Sequence, residues 1–328
     1  MSLAVLGGGS WGTALAAHLR RAGHPVRLWL RDAATAEEIN RHRRNAAYLP
    51  GVELPADLEA TTDLPAAVAT AETVFVVIPS EFCRAVYRQL RAHAGPRALI
   101  VSCTKGIEID TLRRMTEVAA EEVPGRERAV LSGPSFAFEV AREQPTTVVV
   151  ASTDLAVAEA VQRLVSTRVF RAYSSDDVVG VELAGSLKNV IAIAAGIVDG
   201  IGYGSNTVAA LITRGLAEIA RLAVALGARA DTLSGLAGLG DLVLTCTGML
   251  SRNRRVGQAL GAGRSLAEAV GGTRMVAEGV RTTLAACALA ERARVEMPIA
   301  MQMREVLYRG RPPREAVEAL MLRTLKRE

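Results

Sequence analysis

The chain has 328 residues, half of them apolar, which is enough for two domains that each bury a core. Its net charge is +5, but basic and acidic residues are interleaved along the chain, so a small anionic substrate explains the excess as well as nucleic acid would. The four cysteines are too far apart in sequence for a metal knuckle or a redox pair. The composition therefore excludes a mainly disordered chain and indicates no metal site.

No apolar run is predicted to cross a membrane. The longest, from Leu183 to Val198, carries Lys188 and Asn189 in its middle, which indicates a buried helix. The N-terminus has neither the basic region nor the small-residue cleavage site of a secretory signal. We therefore expect a cytoplasmic protein.

Short apolar runs alternate with helical patterns over the first half of the chain, which predicts a parallel, doubly wound α/β sheet of the Rossmann type. Strands are predicted at residues 2–6, 26–30, 73–78, 98–103, 129–131, 147–150 and 169–172. Helices are predicted between them at residues 12–22, 33–43, 81–92, 111–122 and 155–165.

The pattern changes after Ser174, where residues 175–177 are typical of a helix start and no convincing strand follows. Glycine clusters divide the rest of the chain into several helices. The sequence thus predicts a dinucleotide-binding domain over residues 1–177 and an all-helical substrate-binding domain over residues 178–328.

The segment after the first predicted strand has the spacing of a dinucleotide-binding loop. Gly7 allows the tight turn, Gly9 lets the backbone approach a pyrophosphate, and Gly12 allows close packing of helix and strand. The helix that begins here directs N–H groups and the positive end of its dipole at the phosphates. Because the loop joins a strand to a helix, a purely structural turn is the weaker interpretation.

Arg31 and Asp32 follow the second predicted strand, where this fold selects its cofactor. Arg31 suits the 2′-phosphate of NADPH, although it is also compatible with a solvated surface position. Asp32 suits the free ribose of NADH. We expect NADP(H) to be preferred, with NAD(H) still possible.

Only three of the 39 basic residues are lysine: Lys105, Lys188 and Lys326. Arginine stays charged in proteins, whereas lysine can exchange a proton, so acid/base chemistry favours lysine. Lys105 follows a predicted strand at the edge where open α/β sheets bind ligands. Lys188 lies in an apolar helix, where burial is costly unless the ammonium is paired. The four histidines lie outside the candidate sites, so a lysine is the expected acid/base.

A further polar segment, Ser251-Arg252-Asn253, follows ten residues after Asp241. Ser251 is typical of a helix N-cap, so Arg252, Asn253 and the first-turn amides would form an anion site suited to a phosphate. Taken alone, the segment is equally typical of an ordinary basic helix start, and Asp241 alone would suit a turn.

Together these motifs resemble those of the bacterial NAD(P)-dependent glycerol-3-phosphate dehydrogenases over essentially the whole chain. The motifs are Gly7 to Gly12 with Ser10-Trp11, Tyr48-Leu49-Pro50-Gly51, Thr104-Lys105-Gly106, Ser132 to Ala137, Leu187-Lys188-Asn189, Gly238 to Asp241 with Ser251-Arg252-Asn253, and Val276-Ala277-Glu278-Gly279. The resemblance implies a helical second domain like that of 6-phosphogluconate dehydrogenase and a homodimer. It also implies reversible reduction of dihydroxyacetone phosphate to sn-glycerol 3-phosphate, which feeds glycerophospholipid synthesis.

The resemblance implies roles for individual residues as well. Lys188 matches the proton-transfer lysine of the family. The implied substrate contacts are Lys105, Gly133, Ser135, Asp241, Ser251, Arg252 and Asn253. The implied cofactor contacts are Gly7, Gly9, Ser10, Trp11, Gly12, Arg31, Lys105, Ala137, Arg252, Val276 and Glu278.

The chemistry of carbonyl reduction agrees with these roles. Hydride arriving at C2 leaves an alkoxide, which needs a proton and a positive neighbour, and an ammonium supplies both. We expect Lys188 to donate the proton and Asp241 to orient it. Two alternatives stay open: a reductase of the hydroxyacid or ketopantoate type, which would bind a carboxylate, and a non-catalytic NADPH-sensing protein.

Overall fold

The computed structural model describes residues 1–271 and 277–325. The chain divides into two compact units, the first formed by residues 1–108 and 113–182 and the second by residues 109–112 and 183–328. The division falls inside a helix that begins at Val178, immediately after the predicted end of the first domain.

Eight strands form one sheet in the first unit. They are β1 (Leu3–Leu6), β2 (Val26–Trp29), β3 (Glu59–Thr61), β4 (Thr73–Val76), β5 (Leu99–Ser102), β6 (Arg128–Ser132), β7 (Thr146–Ala151) and β8 (Phe170–Ser175). Their order is β3-β2-β1-β4-β5-β6-β7-β8, and the first six strands follow the order of the doubly wound dinucleotide-binding fold. The predicted fold class is confirmed.

One pair of strands departs from the predicted parallel arrangement. β7 runs antiparallel to β6, whereas the other neighbouring pairs are parallel. The chain between β6 and β7 contains only a helix of five residues, Ala137–Ala141, which does not make the crossover that a parallel pair requires.

Seven helices accompany the sheet: α1 (Ser10–Arg21), α2 (Ala33–His42), α3 (Leu64–Val68), α4 (Ser80–His93), α5 (Met115–Glu122), α6 (Ala137–Ala141) and α7 (Leu155–Val165). Leu3 and Val5 of β1 belong to one hydrophobic core, with residues of α1 and α7. Ala4 and Leu6 belong to the other, with residues of α3 and α4. The sheet is therefore covered on both faces.

The short elements β3, α3 and α6 were not predicted, because three to five residues are too few to show a hydrophobic period. The predicted start of α5 at residue 111 is wrong. Leu112 has a left-handed backbone with φ of 59°, and the Glu108 N–H donates to the Arg113 carbonyl, so the chain turns before the helix begins at Met115.

The described part of the second unit is helical throughout, which confirms the all-helical prediction for it. Its helices are α8 (Val178–Ile201), α9 (Ser205–Ala225), α10 (Ala230–Ser234), α11 (Asp241–Thr247), α12 (Arg252–Gly261), α13 (Leu266–Val270), α14 (Glu278–Ala293), α15 (Pro298–Arg309) and α16 (Pro313–Met321). A π-helical turn at Leu236–Gly240 leads into α11. Among the described helices α8 alone has the length and apolar composition to cross a membrane, and its apolar stretch is entirely buried inside the protein.

Helices α8 and α12 approach each other through glycines. Two lie on each helix: Gly196, Gly200, Gly257 and Gly261. A Cβ on Gly196 would collide with the Arg254 carbonyl oxygen, and one on Gly257 would collide with the Ile193 carbonyl oxygen. Later residues of α8 contact later residues of α12, so the two helices run parallel where they touch. This contact brings the start of α12 beside the turn of α8 that carries Lys188.

We expect Gly257→Ala to lower the free energy of unfolding by about 1–3 kcal/mol, because the added methyl group has no space between two helix backbones. Alanine is intrinsically favoured over glycine in a helix by about 1 kcal/mol, and the steric cost acts against that gain. Chemical denaturation measures the net effect. Gly95→Ala is the control, since a Cβ there meets no atom within 4 Å. Equal stability of the two variants would contradict the packing account.

Candidate functional site

Where β1 leads into α1, a Cβ has no room at Gly7, Gly8 or Gly12. Gly7 has φ of 127°, and a Cβ there would collide with the Val77 carbonyl oxygen. A Cβ on Gly12 would collide with the carbonyl oxygen of Gly7. A Cβ on Gly9, in contrast, would meet no atom within 4 Å. The tight turn predicted at Gly7 and the close packing predicted at Gly12 are both observed, and Gly9 faces open space.

The loop fits a dinucleotide on two observations. Helix α1 begins at Ser10 with Gly9 as its N-cap, so the N–H groups of its first turn lie next to that open space. The indole Nε1 of Trp11 is buried and has no hydrogen-bond partner among the described residues. A buried donor without an acceptor is unfavourable, and a bound ligand would supply the acceptor.

A turn that follows α2 is hydrogen bonded to the glycine loop. Asn45 is fully buried, and its Nδ2 donates to the Gly8 carbonyl at 2.9 Å and to the Thr13 hydroxyl at 2.8 Å. The Ser10 hydroxyl donates to the Tyr48 carbonyl at 2.6 Å. Asn45 was not predicted as a functional residue, although it lies three residues before Tyr48.

Arg31 and Asp32 take different positions after β2. The guanidinium of Arg31 is exposed and lies 4.7 Å from the centre of the Phe82 ring. Asp32 is the N-cap residue of α2, and its carboxylate accepts a hydrogen bond from the Thr35 hydroxyl. Asp32 thus has a local structural partner, whereas Arg31 presents its charge at the surface.

Three of the predicted substrate contacts meet at one carbonyl group. The Nζ of Lys105 donates to the Gly133 carbonyl at 2.9 Å, and the Ser135 hydroxyl donates to the same oxygen at 2.9 Å. Gly133 has φ of 134°, and a Cβ there would lie 2.9 Å from the Cα of Val148. Ala137 begins α6 a few residues later. The segments that follow β5 and β6 therefore form one polar cluster, which contains Lys105, Gly133 and Ser135.

Lys188 lies in a buried polar cluster of the second unit. Its side chain is 6% exposed, and its Nζ forms an ion pair with the carboxylate of Asp241, which is 1% exposed. The Nζ also donates to the Thr245 hydroxyl at 2.7 Å, and that hydroxyl donates to the Asp241 carbonyl at 2.6 Å. Two contacts thus fix the direction of the ammonium group, and the carboxylate compensates its charge in a site away from water.

Thr245 was not predicted as a site residue. It lies one helical turn after Asp241, so the two side chains share one face of α11, and this spacing was available in the sequence. Burial raises the pKa of the neighbouring Cys246 thiol to about 12. The thiol therefore stays protonated near neutral pH.

The start of α12 has the predicted cap. Ser251 is the N-cap residue, is 3% exposed, and accepts a hydrogen bond from the Arg254 N–H at 3.2 Å. Arg252 is the first helical residue and is partly buried. The cap and the cation beside it have the arrangement of a helix N-terminus that binds an anion.

Asn253 joins three helices. Its Nδ2 donates to Oδ1 of Asn189 on α8 at 2.9 Å, and its Oδ1 accepts from the Gly279 N–H on α14 at 3.0 Å. A Cβ on Gly279 would lie 2.5 Å from the Asn189 carbonyl oxygen, so the three backbones are in close contact. Glu278 is the first residue of α14. Val276, a predicted cofactor contact, lies outside the described residues.

The predicted site residues therefore fall into two groups that belong to different units. The first unit contains the glycine loop, Arg31 and the cluster at Gly133. The second contains the Lys188 cluster, the start of α12 and Glu278.

Comparison with known proteins covers both units. A family model described as NAD-dependent glycerol-3-phosphate dehydrogenase N-terminus matches residues 2–158, and one described as the C-terminus matches residues 177–318. A glycerol-3-phosphate dehydrogenase (NAD(P)+) from Geobacter sp. (strain M21) is 53% identical, over 99% of this chain and 98% of its own length. The crystal structure of glycerol-3-phosphate dehydrogenase from Coxiella burnetii has a TM-score of 0.95 and 42% identity, covering 98% of this chain and 99% of that one.

A ketopantoate reductase from Ralstonia eutropha has a TM-score of 0.62 and 16% identity, covering 97% of this chain and 100% of its own, which shows a common fold alone. The matches at high identity cover the chain from end to end and agree in name. The chain therefore belongs to the family of NAD-dependent glycerol-3-phosphate dehydrogenases.

Proposed function

We propose that the protein is an NAD(P)-dependent dehydrogenase that reversibly reduces dihydroxyacetone phosphate to sn-glycerol 3-phosphate and so feeds glycerophospholipid synthesis. The buried Lys188, held by Asp241 and Thr245, carries the proposal. The residues that follow Lys188 and Arg252 are hydrogen bonded to each other, so the ammonium group and the anion-binding helix start belong to neighbouring turns. A proton donor beside a phosphate site suits a phosphorylated ketone.

In this proposal the pyrophosphate of the cofactor binds the first unit. Residues 1–177 form the dinucleotide-binding domain, and the glycine loop with Ser10 and Trp11 holds the pyrophosphate. Arg31 binds the 2′-phosphate of NADP(H), while NAD(H) binds more weakly. The further cofactor contacts are Lys105, Ala137, Arg252, Val276 and Glu278. When bound, the reduced nicotinamide supplies the hydride.

The second domain, residues 178–328, supplies the acid/base. Lys188 donates its proton to the C2 oxygen of the ketone during reduction and removes it from the hydroxyl group in the reverse direction. Asp241 and Thr245 hold the ammonium group in one orientation, so no reorganisation is needed as negative charge develops on the oxygen.

The substrate phosphate binds where α12 begins. Arg252 provides a fixed positive charge, and the first-turn amides behind the Ser251 cap provide donors. Asn253 keeps this turn in place through Asn189. The remaining substrate contacts are Lys105, Gly133 and Ser135. Anchoring the phosphate holds the ketone carbon at a constant position.

The protein is also proposed to be cytoplasmic and to form a homodimer. The burial of the apolar stretch of α8 supports a location away from membranes, because this stretch has no lipid-facing surface.

Oxidation of NADPH and of NADH, followed by loss of absorbance with dihydroxyacetone phosphate, tests the reaction and the cofactor together. We expect turnover with both cofactors and a lower KM for NADPH. A ketopantoate-type keto acid in place of the phosphorylated ketone should give no appreciable rate. Preference for the keto acid would identify the alternative reductase, and tight NADPH binding without any turnover would identify a sensor.

Arg31→Ala should raise the KM for NADPH about 10- to 100-fold and leave that for NADH nearly unchanged, since one charge-assisted contact to the 2′-phosphate is lost. Arg27→Ala is the control, because Arg27 lies on β2, the strand that precedes Arg31, and its side chain is paired to Glu59 at 3.4 Å. An equal effect of Arg31→Ala on both cofactors would contradict the proposed selectivity.

Lys188→Arg should lower kcat by about 10²- to 10⁴-fold, because arginine keeps the positive charge but does not release its proton. NADPH binding, followed by fluorescence, should be retained. Lys326→Arg, in the C-terminal tail of the sequence, controls for the exchange itself and should keep full activity. Near-normal turnover of Lys188→Arg would rule out proton transfer by this residue.

A further inference from the structure

The turn formed by residues 45–49, here called the loop brace, has no role in the proposed reaction. Its Leu49 N–H donates to the Asn45 carbonyl at 2.8 Å, and its Tyr48 N–H donates to the Asn45 side-chain oxygen at 3.2 Å. These bonds fix the Asn45 carboxamide with its Nδ2 group directed at the glycine loop.

The loop brace holds the peptide that joins Gly8 to Gly9. The Gly8 carbonyl accepts from Asn45 Nδ2 at 2.9 Å and from the Thr13 hydroxyl at 3.2 Å. Asn45 also donates to that hydroxyl at 2.8 Å, so the three groups form a closed buried network. Both side chains are 0% exposed, and the Gly8 carbonyl therefore points into the protein.

We propose that Asn45 is a positioning residue for the cofactor pyrophosphate, and that it acts through the N–H of Gly9. A trans peptide is planar, with its N–H and C=O directed to opposite sides. Because Asn45 and Thr13 hold the Gly8 carbonyl inward, the N–H of Gly9 points outward. Gly9 also borders open space, and α1 begins at the next residue. The N–H thus joins the first-turn donors that face an anion.

This peptide needs an external restraint because it joins two glycines. Neither residue has a Cβ to limit rotation, so the peptide plane can turn over at little conformational cost. After such a rotation the Gly8 carbonyl oxygen would face the phosphate oxygens and repel them. The bonds from Asn45 and Thr13 prevent that orientation before the cofactor arrives, which lowers the cost of ordering the loop on binding.

Asn45→Asp tests the proposal, because it keeps the shape of the side chain while removing the N–H donor and placing a negative charge beside the Gly8 carbonyl. We expect the Kd and KM for NADPH to rise about tenfold or more. The kcat at saturating cofactor and the KM for dihydroxyacetone phosphate should stay within about twofold. The Kd is measured by fluorescence without turnover, so this result is independent of the proposed substrate.

Asn40→Asp is the matched control. Asn40 also donates from its Nδ2 to a backbone carbonyl, that of Ala60 at 2.8 Å, but it has no contact with the glycine loop. It should leave the Kd for NADPH unchanged. An equal rise in Kd for both variants would assign Asn45 a merely structural role and overturn the proposal.

Thr13→Val tests the same proposal if Asn45→Asp does not fold. It removes the hydroxyl that bonds both Asn45 and Gly8 and keeps the volume of the side chain. A selective rise in the Kd for NADPH supports the proposal. A folded Thr13→Val protein with unchanged affinity for NADPH contradicts it.

Discussion

The second unit depends on one buried ion pair, that between Lys188 and Asp241. An ammonium group inside a protein is costly by several kcal/mol unless an opposite charge and hydrogen bonds compensate it. Compensation here requires α8 and α11 to lie in a fixed arrangement, with Thr245 bonded to both partners. The glycine contact between α8 and α12 then sets the start of α12 against the same helix. Lys188, the proposed proton donor, is thus also a packing constraint.

The glycine loop is also ordered by a buried polar contact. A buried polar side chain, Asn45, satisfies the inward carbonyl of Gly8 and thereby determines which groups the loop presents outward. In both places a buried amide or carboxylate orients a donor for which we propose a ligand contact: the Gly9 N–H in the first unit and the Lys188 ammonium in the second. Each donor is oriented before the ligand binds, so little ordering remains to be done on binding.

The sequence predicted most of what is encoded locally. The glycine spacing, the Ser251 cap and the α/β alternation are short-range patterns, and the rarity of lysine identified Lys188 inside an apolar helix. Contacts between distant residues were not predicted: Asn45 meets Gly8 across 37 positions, and Lys188 meets Thr245 across 57. The strand β7 was predicted, but its antiparallel direction was not. Strand direction depends on the path of the preceding connection, and the residues of that connection carry no strong pattern. The roles of the individual site residues, including Val276, stay predictions.

Chemical rescue tests proton transfer by Lys188 most directly. Lys188→Ala removes the ammonium group and leaves a cavity in a polar site, which small alkylammonium ions in the buffer can enter. We expect the variant to be almost inactive and to regain turnover as the amine concentration rises, with a rate that depends on the acidity of the amine used. A variant that turns over dihydroxyacetone phosphate at close to the unmodified rate without any amine would contradict the account.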